Sequence, residues 1–320
     1  MGWLMSKYSV GVDLGGTNIT IALVDLKGKI KNKVKISTQA DKDARYIIQT
    51  IIENIKLLVR DINCNQIIGI GIGAAGQIDH AKGMIQFSPN LHWRNIPIVK
   101  EIKKECKLPV FIDNDANVAC YGEYLFGAGK GAQSIICVTL GTGVGGGIII
   151  DGKIYRGAGG GAGEIGHITV ESKGRKCNCG NHGCMEAYVG APHIRERCIE
   201  RLKTGEKSII TRLVEGSLSK ITPKVLEEAA FYKDALALEL WQETGMYLGI
   251  GLASLINIFN PEKIIIGGGV ANAGKLISDP MMKTIKERAL AVSLHDVKIV
   301  RAKLGEEAGV IGAAMLVLSE

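Results

Sequence analysis

The pattern that most restricts the fold of this chain is a β-strand, a short Gly-Thr turn and a second β-strand, which occurs twice. The first copy spans residues 9–25 with its turn at 15–18, and the second spans 134–150 with its turn at 141–143. Repetition of one structural unit at a distance indicates an internal duplication. We therefore expect two related halves, each built around one such hairpin.

The rest of the chain alternates between strand and helix patterns, which is typical of an α/β fold. Two related halves in such a fold predict two lobes with a cleft between them. The expected helices include 41–60, 96–106, 115–126, 186–203 and 234–259, and the expected strands include 67–72, 109–112 and 263–266. No apolar run approaches the roughly 18 residues of a membrane span, so no membrane partner is expected.

The charge distribution and the N-terminal residues indicate which partners and which cellular compartment to expect. The net charge is +7, but the lysines are scattered without a long basic run, so no nucleic-acid partner is expected. Residues 1–9 lack the apolar stretch of a secretory signal, which favours a cytoplasmic protein. In a reducing compartment, the closely spaced Cys177, Cys179 and Cys184 are not expected to form disulfides.

Glycine is unusually frequent and clustered. It accounts for 42 of 320 residues, about twice the usual share of ~7%, with clusters at 141–147, 157–163 and 267–269. Segments 71–76 and 141–146 match the G-x-G-x-x-G dinucleotide fingerprint but do not begin a helix, and segment 269–275 resembles a Walker A loop but lacks its Ser or Thr. Neither a Rossmann site nor a P-loop is predicted.

The two Gly-Thr turns themselves are the better candidates for phosphate binding. Backbone N–H groups of a glycine turn can point into one concavity that holds an anion, and Asp13 is suited to orienting Mg²⁺ through water. The alternative is an ordinary hairpin turn, and the repetition favours phosphate. The candidate residues of the first turn are Asp13, Gly15, Gly16, Thr17 and Asn18, and those of the second are Thr142 and Gly143.

The ordered set of motifs resembles the ROK family within the actin-like ATPase and sugar kinase superfamily. Besides the two turns, the resemblance is carried by IDNDAN at 112–117, EIGH at 164–167 and CNCGNHGCME at 177–186. It implies a two-lobed, ribonuclease H-like fold with a duplicated core. The small lobe is expected at residues 1–118 plus 303–320, and the large lobe at 119–302 with a zinc loop at 164–186. Members of the family are often dimers, so a homodimer or a dimer of dimers is expected.

The three cysteines predict a metal site. Three thiolates favour a soft or borderline metal over Mg²⁺, and a histidine would complete a tetrahedral set. His182 and His167 are both available by sequence, and the resemblance favours His167. It implies one structural zinc per chain, held by His167, Cys177, Cys179 and Cys184.

The resemblance also implies an activity, phosphoryl transfer from Mg-ATP to a sugar hydroxyl. Asp115 matches the general base, whereas a purely structural interpretation makes Asn114 or Asp115 the N-cap of the following helix. Gly268 and Gly269 match the turn beside the adenine. The residues that match the family's sugar contacts are Asn90, Asn114, Asp115, Glu164, His167 and Glu186.

The segment SPNLHW at 88–93 resembles the glucokinase branch, which implies 6-phosphorylation of glucose. Kinases of N-acetylmannosamine or other hexoses share nearly all of these motifs and remain alternatives. A different class is a sugar-sensing repressor or a non-catalytic binding module. Such repressors carry a winged helix-turn-helix of roughly 70 residues before the sugar domain, and the early position of Asp13 argues against one here.

Overall fold

The computed structural model describes residues 7–319. Residues 1–6, part of the segment that argued against a secretory signal, lie outside the described range. The strands are β1 Tyr8–Leu14, β2 Asn18–Asp25, β3 Ile30–Ser37, β4 Ile67–Ala74, β5 Gln77–Asp79, β6 Met84–Ser88, β7 Trp93–Ile96, β8 Val110–Asn114, β9 Ile135–Leu140, β10 Val144–Ile150, β11 Lys153–Ile154, β12 Lys263–Gly267 and β13 Lys298–Arg301. The helices are α1 Ala44–Val59, α2 Ile98–Cys106, α3 Asp115–Phe126, α4 Glu186–Val189, α5 Ala191–Lys203, α6 Ile210–Leu213, α7 Pro223–Phe231, α8 Ala235–Phe259, α9 Lys275–Arg288, α10 Ala291–Leu294 and α11 Ala308–Met315.

The expected duplication is visible in the two five-stranded sheets. Their strand orders are β3-β2-β1-β4-β8 and β11-β10-β9-β12-β13, so each contains an antiparallel hairpin whose first strand is followed by two later strands. The β1–β2 hairpin and the β9–β10 hairpin, which carry the two Gly-Thr turns, occupy equivalent positions. The prediction of an α/β fold with a duplicated core is confirmed.

In the first sheet, the register brings three positions of the chain into one row. Asp13 of β1 lies opposite Gly73 of β4, and Gly73 lies opposite Asp113 of β8, with all three strands parallel. Directly opposed residues project from the same face of a sheet. The carboxyl ends of β1 and β8, where the candidate phosphate turn and the candidate base are found, therefore lie at the same edge.

The chain divides into two compact units. The first contains residues 1–137, 147–163 and 301–320, and the second contains 138–146 and 164–300. The lobe boundaries expected from the sequence differ from these bounds, because residues 119–137 and 147–163 group with the first unit. For α3 the grouping follows from its packing against α11 in the same unit, and for residues 147–163 it agrees with the ion pair of Arg156 with Asp113.

Glycines allow α11 to pack directly on the backbone of the first unit. A Cβ at Gly11 of β1 would overlap the carbonyl oxygen of Val310, and one at Gly71 of β4 would overlap that of Ala313. On the other side of the helix, a Cβ at Gly312 would overlap the carbonyl oxygen of Val118 in α3. The C-terminal helix is thus held between the sheet and α3, at distances that only glycine permits.

Two local predictions are wrong. The single helix expected at 186–203 is divided into α4 and α5, because Gly190 is extended (ψ 139°) and Pro192 lies in the first turn of α5. The helix expected from residue 96 begins at Ile98 after Pro97, and Ile96 instead ends β7 of a three-stranded sheet that was not predicted. Among residues 7–319, no helix combines the length and apolar character needed to cross a bilayer.

Candidate active site and metal centre

The first Gly-Thr turn is a tight hairpin held by backbone hydrogen bonds. The Gly15 N–H donates to the Asn18 carbonyl oxygen at 3.1 Å, and the Thr38 hydroxyl donates to the Gly15 carbonyl oxygen at 2.7 Å. A Cβ at Gly16 would lie 2.9 Å from the Cβ of Asn90. The fold therefore brings the candidate phosphate turn against a candidate sugar residue 74 positions later in the sequence, while Thr17 and Asn18 stay exposed.

Asn114 and Asp115 stand where β8 ends and α3 begins. The Asn114 Oδ1 accepts from the N–H of Ala116 at 2.9 Å and of Asn117 at 3.4 Å, and its Nδ2 donates to the Gly76 carbonyl oxygen at 3.1 Å. Asn114 is therefore the N-cap of α3. Because Asn114 caps the helix, the Asp115 carboxylate, which accepts from the Ala116 N–H at 2.9 Å, does not serve as the cap itself.

The carboxyl groups of Asp13 and Asp115, at this edge of the sheet, both have raised pKa values. Burial raises the pKa of Asp115 above its ordinary value. Burial, followed by the nearby charge of Asp115, raises the pKa of Asp13 to about 6, and Lys35 opposes that rise. Raised pKa values of two neighbouring carboxyl groups are typical of a site that takes up a proton in a reaction.

Asp113 lies beneath these groups in a buried hydrogen-bond network. Its Oδ1 accepts from the Asn114 N–H at 2.8 Å and the Asn117 Nδ2 at 2.9 Å, and its Oδ2 accepts from the Arg156 Nε at 2.7 Å. Sequence reasoning did not identify Arg156. It is 43 positions from Asp113, and no local pattern distinguishes it from a surface arginine.

In the second unit, the second Gly-Thr turn is tied to Glu186. The turn closes through the Gly141 N–H, which donates to the Gly143 carbonyl oxygen at 2.9 Å. The Val144 N–H, just after the turn, donates to the Glu186 Oε2 at 2.9 Å. A Cβ at Gly143 would lie 2.5 Å from that same oxygen, so glycine is needed for the carboxylate to reach the turn. Thr142 remains exposed.

Gly268 follows β12 and rests on the end of β9. It has a φ of +90°, and a Cβ there would overlap the backbone of Leu140, immediately before the second turn. A Cβ at Gly269 would meet nothing within 4 Å. The fold therefore brings Gly268 beside the second turn and leaves the backbone of Gly269 accessible.

The cysteine-rich loop gathers four metal-ligating side chains. One ligand atom from each of four residues lies within 4.8 Å of all the others, namely from His167, Cys177, Cys179 and Cys184. The Cys179 and Cys184 sulfurs are 3.7 Å apart, and the Cys177 sulfur is 3.7 Å from the His167 Nδ1. Tetrahedral zinc with Zn–S bonds of about 2.3 Å requires S···S distances of about 3.8 Å. The observed separations fit that geometry.

His182, the other histidine available by sequence, is not part of this cluster. It lies opposite Lys176 in an isolated β-bridge, whereas the His167 ring presents Nδ1 to Cys177 and has Nε2 at 3.9 Å from the Glu164 Oε2. Burial raises the pKa of Cys177 to about 12 and also raises that of Cys184. Buried thiols with such pKa values become good ligands when a cation compensates the thiolate charge.

The predicted residues thus fall into two groups, one in each unit. The first unit brings together Asp13, Gly15, Gly16, Thr17, Asn18, Asn90, Asn114 and Asp115. The second unit holds Thr142, Gly143, Glu164, His167, Cys177, Cys179, Cys184, Glu186, Gly268 and Gly269. Glu186 connects the two features of its unit, because its Oε1 lies 3.8 Å from the Cys177 sulfur while its Oε2 holds the turn.

Known proteins resemble this chain over nearly its whole length. It is 39% identical over 317 residues to a glucokinase of Halalkalibacterium halodurans, covering 98% of this chain and 96% of that protein. It is 33% identical over 316 residues to a xylose repressor of Caldicellulosiruptor bescii, covering 97% of this chain and 78% of the repressor.

Solved structures and a family model agree with these relatives. A ROK family glucokinase from Streptomyces griseus, solved in complex with glucose and AMPPNP, superposes with a TM-score of 0.81 at 36% identity, covering 98% of this chain and 100% of that one. The model of the ROK family matches residues 9–320. With its duplicated sheets, paired Gly-Thr turns and His-Cys cluster, the chain belongs to the ROK family.

Proposed function

We propose that this protein is an ATP-dependent glucokinase that transfers the γ-phosphoryl group of ATP to the 6-hydroxyl of glucose. The observation that carries the proposal is full-length likeness to glucokinases, including one whose structure holds glucose and AMPPNP. The site itself supports the proposal, because Asp115, a partly buried carboxyl group with a raised pKa, lies near Asp13 of the Gly-Thr hairpin in the same compact unit.

In this mechanism Asp115 takes the proton of the attacking hydroxyl. Asn114 is fixed by its capping and Gly76 hydrogen bonds, so it orients the residue that follows it. The raised pKa of Asp115 makes its carboxylate a stronger base than an ordinary aspartate. The glycine turns would supply backbone N–H groups to the phosphates, and Asp13 would help to hold magnesium, whose charge would offset that of the phosphates.

The sugar is held by hydrogen-bonding groups for its hydroxyls. The proposed contacts are Asn90, Asn114, Asp115, Glu164, His167 and Glu186. We also propose Gly268 and Gly269 as the turn beside the adenine, where the open backbone of Gly269 leaves space for a flat ring.

Assembly as a homodimer or a dimer of dimers and a cytoplasmic location remain predictions.

The His-Cys cluster is proposed to hold one structural zinc per chain. Its four side chains would supply a full tetrahedral set of ligands, which would leave no position for a reacting water. Zinc would supply the charge that stabilises the three thiolates and would fix the loop that carries Glu164 and Glu186. With Nδ1 of His167 facing Cys177, Nε2 remains for a hydrogen bond to a sugar hydroxyl.

The test is ADP release from Mg-ATP, measured with a coupled assay against a panel of sugars. The panel contains glucose, mannose, fructose, N-acetylglucosamine, N-acetylmannosamine, xylose and a blank without sugar. We expect glucose to be strongly preferred. Preference for an N-acetyl sugar would assign the protein to another kinase branch. Saturable sugar binding without turnover would instead support the non-catalytic class, to which the likeness to a xylose repressor draws attention.

Replacement of the proposed base gives a second test. In Asp115→Asn the side chain keeps its size but loses the ability to accept a proton, so we expect kcat to fall by at least about 10²- to 10⁴-fold. Glucose binding, measured by calorimetry, and thermal unfolding should stay close to wild type. Wild-type turnover in this variant would exclude Asp115 as the base.

A further inference from the structure

Arg156 makes a partly buried ion pair with Asp113 beneath the proposed base. It lies two residues after the end of β11 and immediately before the glycine-rich segment 157–163. Its Nε donates to the Asp113 Oδ2 at 2.7 Å, and the exposed fractions of the two side chains are 21% and 4%. The Asp113 charge is therefore neutralised by a single arginine that comes from a distant part of the sequence.

The same carboxylate organises the start of α3. While Oδ2 accepts from Arg156, Oδ1 accepts from the backbone N–H of Asn114 and from the Nδ2 of Asn117. These two donors lie on either side of Asp115 in the sequence. The orientation of Asp113 thus determines the path of the chain through Asp115, and the Arg156 guanidinium determines the orientation of Asp113.

The pair is poorly suited to a purely stabilising role. Burying two opposite charges costs desolvation that their attraction often fails to exceed. In addition, the Arg156 Nη2 is buried without a hydrogen-bond partner within residues 7–319, which leaves a donor uncompensated. The contribution of such a pair to stability is therefore small, and the geometry is better explained by what the ion pair positions.

The backbone of Arg156 is itself held in place. Its carbonyl oxygen accepts from the Ala162 N–H at 3.1 Å, which closes the glycine-rich segment into a loop. Within that loop Gly157 and Gly160 have φ values of +69° and +77°, which side chains other than glycine rarely adopt. The loop therefore forms a compact turn whose closing residue projects the guanidinium toward Asp113.

We propose that Arg156 is a positioning residue for phosphoryl transfer, holding Asp113 and through it the Asn114–Asp115 pair. The inference rests on the proposed kinase function and on Asp115 as base. A small displacement of a general base lowers the rate of proton transfer strongly, because the reacting atoms must stay within hydrogen-bond reach. Loss of Arg156 should consequently reduce kcat much more than it weakens nucleotide binding.

The experiment compares Arg156→Met, Arg156→Lys and the control Arg60→Met. Arg60 is an exposed arginine of the same unit, paired with Asp61 at 3.1 Å. With glucose and Mg-ATP, we expect kcat of Arg156→Met to fall at least tenfold while the KM for ATP changes less than twofold. Arg156→Lys keeps the positive charge beside Asp113 but lacks the planar guanidinium, so we expect an intermediate kcat. Arg60→Met should match wild type.

A double-variant comparison separates positioning from general damage. The double variant carries Arg156→Met and Asp115→Asn. If Arg156 acts through Asp115, its kcat should equal the small residual kcat of Asp115→Asn within twofold. A further tenfold loss in that background would overturn the proposal, and so would wild-type kcat in Arg156→Met. If Arg156→Met does not unfold cooperatively, Arg156→Lys decides, since an unchanged kcat there also overturns the proposal.

The assay results distinguish a failure of the proposed kinase function from a failure of the proposed role of Arg156. A wild-type protein that turns over none of the sugars refutes the kinase, and the role of Arg156 in phosphoryl transfer is refuted with it. An active wild type together with an active Arg156→Met refutes only the positioning role.

Discussion

At the scale of single residues, three aspartates at one sheet edge have been given different environments. Asp113 is buried and paired with Arg156, whereas Asp115 is partly buried beside the helix cap. Asp13 lies close enough to Asp115 for that charge to raise its pKa. Burial raises the pKa of Asp115 and of Asp13 above the ordinary value, whereas Asp113 is held by an ion pair and by hydrogen bonds. Environment, more than residue type, separates the organising carboxylate from the proposed base.

The raised pKa of Asp13 predicts a pH-dependent stability. Its pKa is about 6 in the folded protein and 3.8 ordinarily, so the folded state binds this proton more tightly than the unfolded state. Asp13 therefore costs stability as pH rises from about 4 through 6. We expect Asp13→Asn, without nucleotide or magnesium, to raise the free energy of unfolding at pH 7 by about 3 kcal/mol. Urea titrations at pH 4.5 and 7 measure this, and an equal difference at both pH values would contradict it.

At the scale of elements, α11 depends on glycine in the strands beneath it. In Gly71→Ala the new methyl group would overlap the Ala313 carbonyl oxygen, which is backbone and cannot rotate away. We expect the free energy of unfolding to fall by at least about 2–3 kcal/mol, as for overpacked cores. Gly161→Ala is the matched control, since a Cβ there meets nothing within 4 Å. Equal stability of the two variants in urea would show that α11 can move.

The cysteine-rich loop supplies the second prediction at this scale. Purified protein should contain about one zinc per chain, measured by mass spectrometry of the metal, and Cys179→Ser should lose it because one thiolate of four is removed. The melting temperature should fall with the metal, since binding to the folded loop contributes folding free energy. Exposed Cys64→Ser is the control. A metal-free wild type with full activity would rule out the zinc site.

At the scale of the whole molecule, the first compact unit is assembled from three separate parts of the chain. Residues 301–320 return to it, and α11 packs against β1, β4 and α3. Glu123, buried in α3, accepts from the backbone N–H of Lys303 at 2.8 Å and of Leu304 at 2.6 Å. The last segment is therefore part of the unit's core and not an appendage.

Removal of residues 301–320 should accordingly unfold the first unit. The deletion exposes the glycine-lined faces of β1 and β4 and leaves the Glu123 carboxylate buried without these donors. We expect rapid proteolysis within residues 7–137 and loss of a cooperative thermal transition. Adding the 301–320 peptide in trans should restore protection in part. Unchanged protease resistance after the deletion would contradict this account.

Much of the fold was predictable from local patterns. Alternating apolar residues on both sides of glycine turns indicated the hairpins of both sheets, and the motif order indicated the family. These signals are readable because strand periodicity and turn conformation depend on neighbouring residues. The small sheet of β5, β6 and β7 was missed, since its short strands carry too few residues to show a period.

Sequence alone thus determined the duplicated α/β core, the Gly-Thr turns, the thiol spacing and the position of the candidate base. Only the tertiary structure decided that Glu186 holds the second turn and that Arg156 pairs with Asp113. These pairings join residues up to 43 positions apart. They depend on how sheets and loops bring distant segments together, which no local pattern encodes.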